Sequence, residues 1–476
     1  MNQVKSIFKN TSWMSLSQVV TSLCAFLWTI LIANYLGVTD YGIVSFAISF
    51  TTLINIVMDL GMSTYITREI SKNNGLLAKY MGNIFLFKLL LAILLLIVSI
   101  VILVIMGKSN LTIIVTTIFT IEMVFMSMVG FLNGVFQAFE KVKYQAIGNI
   151  LNSSFLLIGI LITLGLNLGV ISVAISYLIG YLVFFVYMCI SYIKKFSFPK
   201  FELDLDFIKE VLIGSLPFGL TNFFYSIYFS IDIVMLSYLS GDYATGLYKS
   251  AYNIINIFTT FFVVYQAVVF PVMSKFFAES KDLLKVSYEV SVKYLLLIII
   301  PLSIGVYYYA LPLVDLIYNN QYSLASTPVQ ILIWTVVFLF VNGAASTLLN
   351  SVSKERIVTK VYIIAALFNI VLNMVMIPIW GYEGAALTTV LSEILICILT
   401  TYYIFKTDYH PGRNLLKNII KLVICGAVLM VVLYYINVSM WLAIPISLVI
   451  YIIMILLTKT LDDNDRFIIK SLFDKN

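Results

Sequence analysis

The sequence is poor in charge. Only 11% of its 476 residues are Asp, Glu, Lys or Arg, while 61% are hydrophobic and the mean hydropathy is +1.03. A soluble domain has no use for so much apolar surface, so the soluble classes are excluded and the long apolar runs are read as membrane spans. Histidine is nearly missing, with His410 beside Pro411 as the single example. One histidine cannot build a metal site of several His ligands, and no metal or other cofactor is expected. Cysteine is scarce as well. Cys24, Cys189, Cys397 and Cys425 lie inside apolar runs without paired spacing, so they read as small buried hydrophobes and not as a disulfide or metal framework. No large polar loop is present, and no nucleic-acid partner is expected. A cleavable signal is lacking too: Trp13–Ala33 is span-length and no small-residue cleavage site follows it, so it is read as the first span.

What is present is a series of about fourteen apolar runs. They fall near residues 12–34, 42–66, 80–106, 111–137, 145–165, 169–192, 208–239, 244–274, 288–310, 328–351, 358–379, 384–405, 415–436 and 440–458. Each matches the ~20 residues that a helix needs to cross a ~30 Å hydrocarbon core. The fold class is therefore an all-α polytopic membrane protein. Charges in the connections alternate. One set begins with Lys5 and Lys9 and continues through Arg68, Lys72, Lys79, Lys141, Lys143, Lys194, Lys195, Lys281, Lys354, Arg356 and Arg413, whereas the other carries Lys108 and almost nothing else. By the positive-inside rule both termini are cytoplasmic, in a cell membrane.

The link Lys194–Phe207 is polar and contains Pro199, which predicts a boundary between a first lobe (1–200) and a second (201–406). Residues 407–476 add two further spans and a tail. Asp206 is expected to cap the seventh span, and Asp40 and Asp242 to cap the helices that follow tight outer turns. The halves look related. Tyr35-Leu36-Gly37-Val38-Thr39-Asp40-Tyr41-Gly42 resembles Tyr238-Leu239-Ser240-Gly241-Asp242-Tyr243 followed by Gly246, and Ala47 and Ala251 fall at the same spacing beyond them. Leu132-Asn133-Gly134-Val135 resembles Leu349-Asn350-Ser351-Val352, and Gly169-Val170-Ile171-Ser172 resembles Gly384-Ala385-Ala386-Leu387. Six spans repeated give two copies that enter from the same side, a parallel repeat with substrate expected between the lobes.

With Ser215-Leu216-Pro217-Phe218 in the seventh span, Ile231-Asp232-Ile233-Val234-Met235-Leu236 after it, and Ile377-Pro378-Ile379-Trp380-Gly381-Tyr382-Glu383-Gly384-Ala385-Ala386 further on, the chain resembles the polysaccharide-biosynthesis (O-antigen-type) flippases of the multidrug/oligosaccharidyl-lipid/polysaccharide superfamily. No one motif is specific; the ordered set is, over nearly the whole chain. The resemblance implies a V of two six-helix lobes around a central cavity. It also implies transfer of a polyprenyl-(pyro)phosphate-linked oligosaccharide from the inner to the outer leaflet. Partners implied are that substrate, membrane lipids and polysaccharide-assembly proteins, with the chain acting as a monomer.

Charges inside spans carry the remaining signal, because each costs about 2.5–3.5 kcal/mol at the helix centre and is normally buried in protein or faces a wet cavity. Lys249, Asp232, Lys88 and Arg68 are candidate cavity residues, together with Asn222, Tyr225, Tyr252 and Asn253, whose amides and rings can bind sugars. Asp59, Glu122 and Glu393 are candidates for coupling, or for structural pairs inside one lobe. Lys249 either binds a phosphate headgroup or pairs privately with Asp232. Arg68, Lys293 and Lys421, near cytoplasmic ends, fit snorkelling equally well, and Tyr307-Tyr308-Tyr309 fits an interfacial belt. Gly107-Lys108-Ser109 imitates the end of a phosphate-binding loop, but position 102 is Ile where the motif requires Gly. Asp204-Leu205-Asp206 has the form of a metal-binding pair and reads better as an acidic helix start.

Two other functions compete. A cation-coupled drug antiporter of the same superfamily would be expected to carry a carboxylate in its first span, where Thr21, Ser22 and Thr29 are the polar residues. A membrane glycosyltransferase or polymerase needs an acid/base or metal constellation beside a sizeable loop. The loops here are too small, so the chain is read as a transporter and not an enzyme.

Overall fold

The computed structural model describes residues 2–196, 202–436 and 438–461, with side chains for all of these except 2–8, 221, 222, 263 and 264. Pro199 and the side chains of Lys5 and Asn222 therefore lie outside the described residues. Every regular element among the described residues is helical. That is the expected solution in lipid, where a backbone N–H or C=O can be satisfied only within its own helix.

Fourteen α-helices follow one another: α1 (Asn2–Asp59), α2 (Met62–Lys72), α3 (Leu77–Ile105), α4 (Asn110–Ala138), α5 (Lys143–Leu166), α6 (Gly169–Lys195), α7 (Leu205–Leu239), α8 (Gly241–Glu279), α9 (Lys281–Tyr308), α10 (Ala310–Ile317), α11 (Ser326–Ser351), α12 (Glu355–Phe405), α13 (Arg413–Tyr435) and α14 (Met440–Leu457). These are not one helix per span. At 1.5 Å per residue, α1 and α12 would be about 80 Å long if straight, more than twice the hydrocarbon thickness. Each is broken by a glycine outside the helical region, Gly37 (φ 74°) and Gly381 (φ 54°). Among the described residues eleven helices are long and apolar enough to cross a membrane, and α7 makes a twelfth, bent by 57° between Leu220 and Phe223. The two glycine-broken helices hold two spans each, which accounts for the fourteen expected.

The described residues divide into two compact units, 1–246 and 247–476. In the first, α5 packs on α6, α4 on α6, and α1 on α4, α5 and α7, while α2 lies against α4 and α7. In the second, α11 packs on α9 and α12, and α13 on α9 and α14. The packing follows helical spacing. On α3, Ile84, Lys88, Ala92, Leu95, Ser99 and Leu103 form one buried stripe, whereas Leu89, Leu90, Ile93, Leu94 and Ile97 turn outward. Those outward leucines and isoleucines are the surface a lipid environment accepts. Lys88 therefore stands on the protein-facing side of its helix.

Left-handed backbone recurs at corresponding points of the two sequence halves. Gly37 (φ 74°) and Gly241 (φ 85°) lie in the first hairpin turn of each. Glu140 (56°) and Ser353 (58°) follow the fourth span, and Gly169 (76°) and Gly381 (54°) precede the sixth.

The cap of α7 differs from the sequence expectation. Asp204, not Asp206, occupies the cap position and accepts a hydrogen bond from the Phe207 amide at 3.0 Å. Asp204 is anchored from outside the helix as well, since its own amide donates to Asn83 Oδ1 and its carboxylate faces Lys79 Nζ at 3.4 Å. Its neighbour Asp206 is left in the first turn, where an acid still favours the helix dipole.

Candidate functional site

The polar centre of the first unit forms where the second span breaks. α1 ends at Asp59; Leu60 (φ 44°) and Gly61 (φ 76°) then adopt left-handed backbone before α2 resumes. The break coincides with a close approach to α7. A Cβ on Gly61 would lie 2.4 Å from the Gly219 nitrogen and 2.7 Å from the Ser215 carbonyl oxygen. Only glycine fits both the space and the dihedral. Immediately before the break, Asp59 Oδ1 accepts from Lys88 Nζ at 2.8 Å and from Ser63 Oγ at 2.5 Å, and Lys88 also donates to Ser127 Oγ at 2.8 Å. Lys88 is 0% exposed. The structure thus brings Asp59 and Lys88 together as a buried ion pair, one of the two readings the sequence left open. Ser63 and Ser127 complete it. Ser63 stands on α2, across the break from Asp59, and Ser127 on α4; neither gave a signal in the sequence.

Beyond the break, Arg68 on α2 is about half exposed. Its guanidinium lies 5.2 Å from the Tyr65 ring and 5.3 Å from the Phe218 ring, with Glu69 at 2.8 Å. The guanidinium is thus held by two aromatic faces and, through its Nε–H, by the Glu69 carboxylate. Glu122 on α4 is buried elsewhere in the same unit, with Tyr177 and Tyr181 of α6 as its electrostatic neighbours. Tyr177 packs in turn on Phe119 at 5.2 Å and on Trp28 of α1 at 6.5 Å. Asp232 on α7 is buried, and Tyr225, seven residues before it, is exposed with its ring 4.7 Å from Phe229.

The second unit holds the other candidates. Lys249 on α8 is half-buried, and its ammonium lies 5.7 Å from the centroid of the Tyr252 ring. Tyr252 stacks on Tyr248 at 5.9 Å, and Tyr248 is fixed by a 2.9 Å hydrogen bond to Thr389 Oγ1. Asn253 is engaged by the hydroxyl of Tyr318, which also donates to the Ser250 carbonyl at 3.3 Å. Tyr318 lies just past α10, a short helix the span count did not foresee. Glu393 is buried on α12 and accepts from Asn342 Nδ2 at 2.6 Å. Asn342 was not singled out in the sequence, where nothing links it to position 393. Lys293 is buried, so it does not snorkel; the middle of α9 is too far from either end for its ammonium to escape. Lys421 does reach a boundary, where it donates to the Lys459 carbonyl.

The turn before α8 differs from the expectation of a simple Asp242 cap. α8 starts at Gly241, and the Asp242 carboxylate accepts from Lys108, Ser237 and Thr112. Lys108 is therefore engaged by protein groups, as the missing glycine of its phosphate-loop motif suggested.

Comparisons with known proteins agree with this architecture. The family model described as polysaccharide biosynthesis protein matches residues 7–277, more than half of the chain, and the MatE family model matches 217–375. An uncharacterised membrane protein of Methanocaldococcus jannaschii is 26% identical over 462 residues, covering 90% of this chain and 89% of that one. Capsular polysaccharide biosynthesis protein CapF of Staphylococcus aureus is 22% identical over 420 residues, covering 84% and 99%. The fold matches a solved structure of the lipid II flippase MurJ in an inward closed conformation, with a TM-score of 0.77 at 18% identity over 93% of this chain and 97% of that one. The chain belongs to the polysaccharide biosynthesis protein family, within the multidrug/oligosaccharidyl-lipid/polysaccharide superfamily.

Proposed function

We propose that this protein is a flippase that carries a polyprenyl-(pyro)phosphate-linked oligosaccharide from the inner to the outer leaflet by alternating access. The observation that carries the reading is Lys249, a half-buried ammonium within a span whose neighbour is an aromatic face. A phosphate-linked headgroup calls for such a cation, and lysine binds phosphate as a point charge. Tyr252 and Asn253, next on the same helix, supply a stacking face and an amide for the adjoining sugar. Arg68 takes the anionic headgroup at the inner boundary, and Glu122 is the carboxylate best suited to coupling. The Asp59–Lys88 pair holds the first unit together at its helix break.

In this reading the lobes are the sequence repeats, 1–200 and 201–406, with 407–476 appended, and the recurring left-handed positions support that division. Both termini are cytoplasmic, and assembly enzymes supply the substrate from that side. Loss of the protein should accumulate an intact lipid-linked oligosaccharide in the inner leaflet, with assembly unaffected. A glycan shortened by one sugar would instead make the protein an enzyme of assembly. The MatE match over 217–375 favours a second reading, cation-coupled drug export. Drug resistance that rises with expression while surface glycan is unchanged would select it.

A further inference from the structure

The two outer hairpin turns grip each other reciprocally. Gly37, Gly42 and Ala47 recur 204 positions later as Gly241, Gly246 and Ala251, and at the same offset Val38 corresponds in position to Asp242. A Cβ on Gly42 would lie 1.8 Å from the Asp242 carbonyl oxygen, and a Cβ on Gly246 would lie 1.9 Å from the Val38 carbonyl oxygen. One contact becomes the other when the repeats are exchanged. That is the signature of a self-complementary two-fold interface, and here it occurs between repeats of one chain. All four residues belong to the first unit.

A contact made of two glycines and two carbonyls is close but weak in itself. What fastens it is not symmetric. From the turn between α3 and α4, Lys108 Nζ donates to the Ser237 carbonyl and to Ser237 Oγ, both at 2.6 Å, and to Asp242 Oδ1 at 3.3 Å. Its ammonium also lies 4.4 Å from the Phe46 ring centroid. An ammonium has three donors, and all three are used. The Ser237 hydroxyl, which accepts from Lys108, donates in turn to Asp242 Oδ1, and Thr112 donates to Oδ2 at 3.3 Å. Lys108 is only 7% exposed at its side chain. Closed, shielded networks of this kind hold best when complete and lose most when one member leaves.

We propose that Lys108 is the gating residue of the outer face, the positioning cation that ties the α7–α8 turn to the α3–α4 turn and to Phe46 of the second span, and so keeps the two hairpin turns closed. This rests on the flippase reading for its purpose: outward release requires the two turns to part, and Lys108 must let go of Ser237 and Asp242 when they do. It explains why a face otherwise almost without cations keeps one. It also explains why a lysine in a phosphate-loop-like turn needs no phosphate.

The test reads the gate without using substrate. Val38, 5% exposed and in contact with the Gly246 position, is replaced by cysteine in a chain lacking Cys24, Cys189, Cys397 and Cys425, and labelled in intact cells with an impermeant thiol reagent. Slow labelling is expected in that parent. Lys108→Met and Asp242→Asn should each speed labelling on the order of tenfold, the equivalent of about 1.4 kcal/mol. The double variant should label no faster than the faster single, because both changes release one latch. Gly246→Ala, which drives the Val38 carbonyl away, should speed labelling with Lys108 intact. Monodisperse elution of purified protein and full labelling after denaturation identify the variants that fold. Unchanged labelling in both folded single variants, or rates that multiply in the double, would overturn the gate. Failure of the flippase reading is separate, since it would alter the lipid accumulated and leave these labelling rates as they are.

Discussion

Lys88 in the first unit and Lys249 in the second are both ammonium groups within apolar helices, yet their surroundings differ. Lys88 is wholly buried and held by Asp59 and Ser127, whereas Lys249 is half-buried against the Tyr252 ring. The difference teaches that a charge at membrane depth does not by itself announce a ligand. The first lysine is neutralised by its own fold and gains little from a substrate anion. The second lies against an aromatic ring, and the proposed function rests on its binding such an anion. Lys108 is a third case, a cation satisfied by groups that must separate if the turns part.

The largest effect should come from Lys249→Met. Losing a charge-assisted contact of about 1.5–3 kcal/mol should lower transport at least tenfold, measured as surface glycan at matched protein levels. Adding Asp232→Leu should not restore it. Recovery in the double variant would mean that Lys249 and Asp232 serve only each other, and the contrast with Lys88 would collapse.

Lys88→Met should behave in the opposite way. Alone it leaves the Asp59 carboxylate without its cation and should destabilise the protein by roughly 3–5 kcal/mol, whereas combined with Asp59→Leu it should be tolerated. Thermal unfolding in detergent and surface glycan, measured on the same variants, separate the outcomes. A stable double variant that does not transport would move this pair into the transport machinery.

Glu122→Gln sharpens the comparison from the side of the acids. The amide suits the aromatic setting of Tyr177 and Tyr181 at least as well as the carboxylate, so folded protein should be retained. Transport should lose its response to an imposed proton gradient. A fall in thermal midpoint with the response intact would make Glu122 a structural group like Asp59.

The smallest effect is expected at Asp204. Its carboxyl is held below the usual range by the Phe207 amide and then by Lys79. A lowered carboxylate contributes stability above its ordinary pKa and loses it as pH falls through the lowered one. Asp204→Ala should therefore reduce the thermal midpoint slightly at neutral pH, and the difference should vanish in strong acid. No difference at neutral pH would assign the anchoring to the Asp204 amide on Asn83, which the substitution leaves in place.

Much of the architecture was legible in the residues, because lipid leaves the backbone few options. Fourteen apolar runs predicted fourteen spans; the described residues hold eleven helices long and apolar enough to cross a membrane and a bent twelfth, with α1 and α12 each divided by a glycine. The glycine-containing turns at 37 and 241 were visible as paired sequence segments, since left-handed backbone favours glycine. The intramembrane charges were also visible, because composition makes each one stand out. Their roles were not. Whether a lysine meets an aspartate, a serine or a ring depends on which helix faces which, and apolar runs look alike at every face. Asp59 and Lys88 lie 29 positions apart, Lys108 and Asp242 134, and Glu393 and Asn342 51. The sequence by itself determined the spans, their breaks and the list of charged residues. Only the tertiary structure decided the partners, because a charge is neutralised by proximity in space, and helical periodicity reports nothing beyond its own helix.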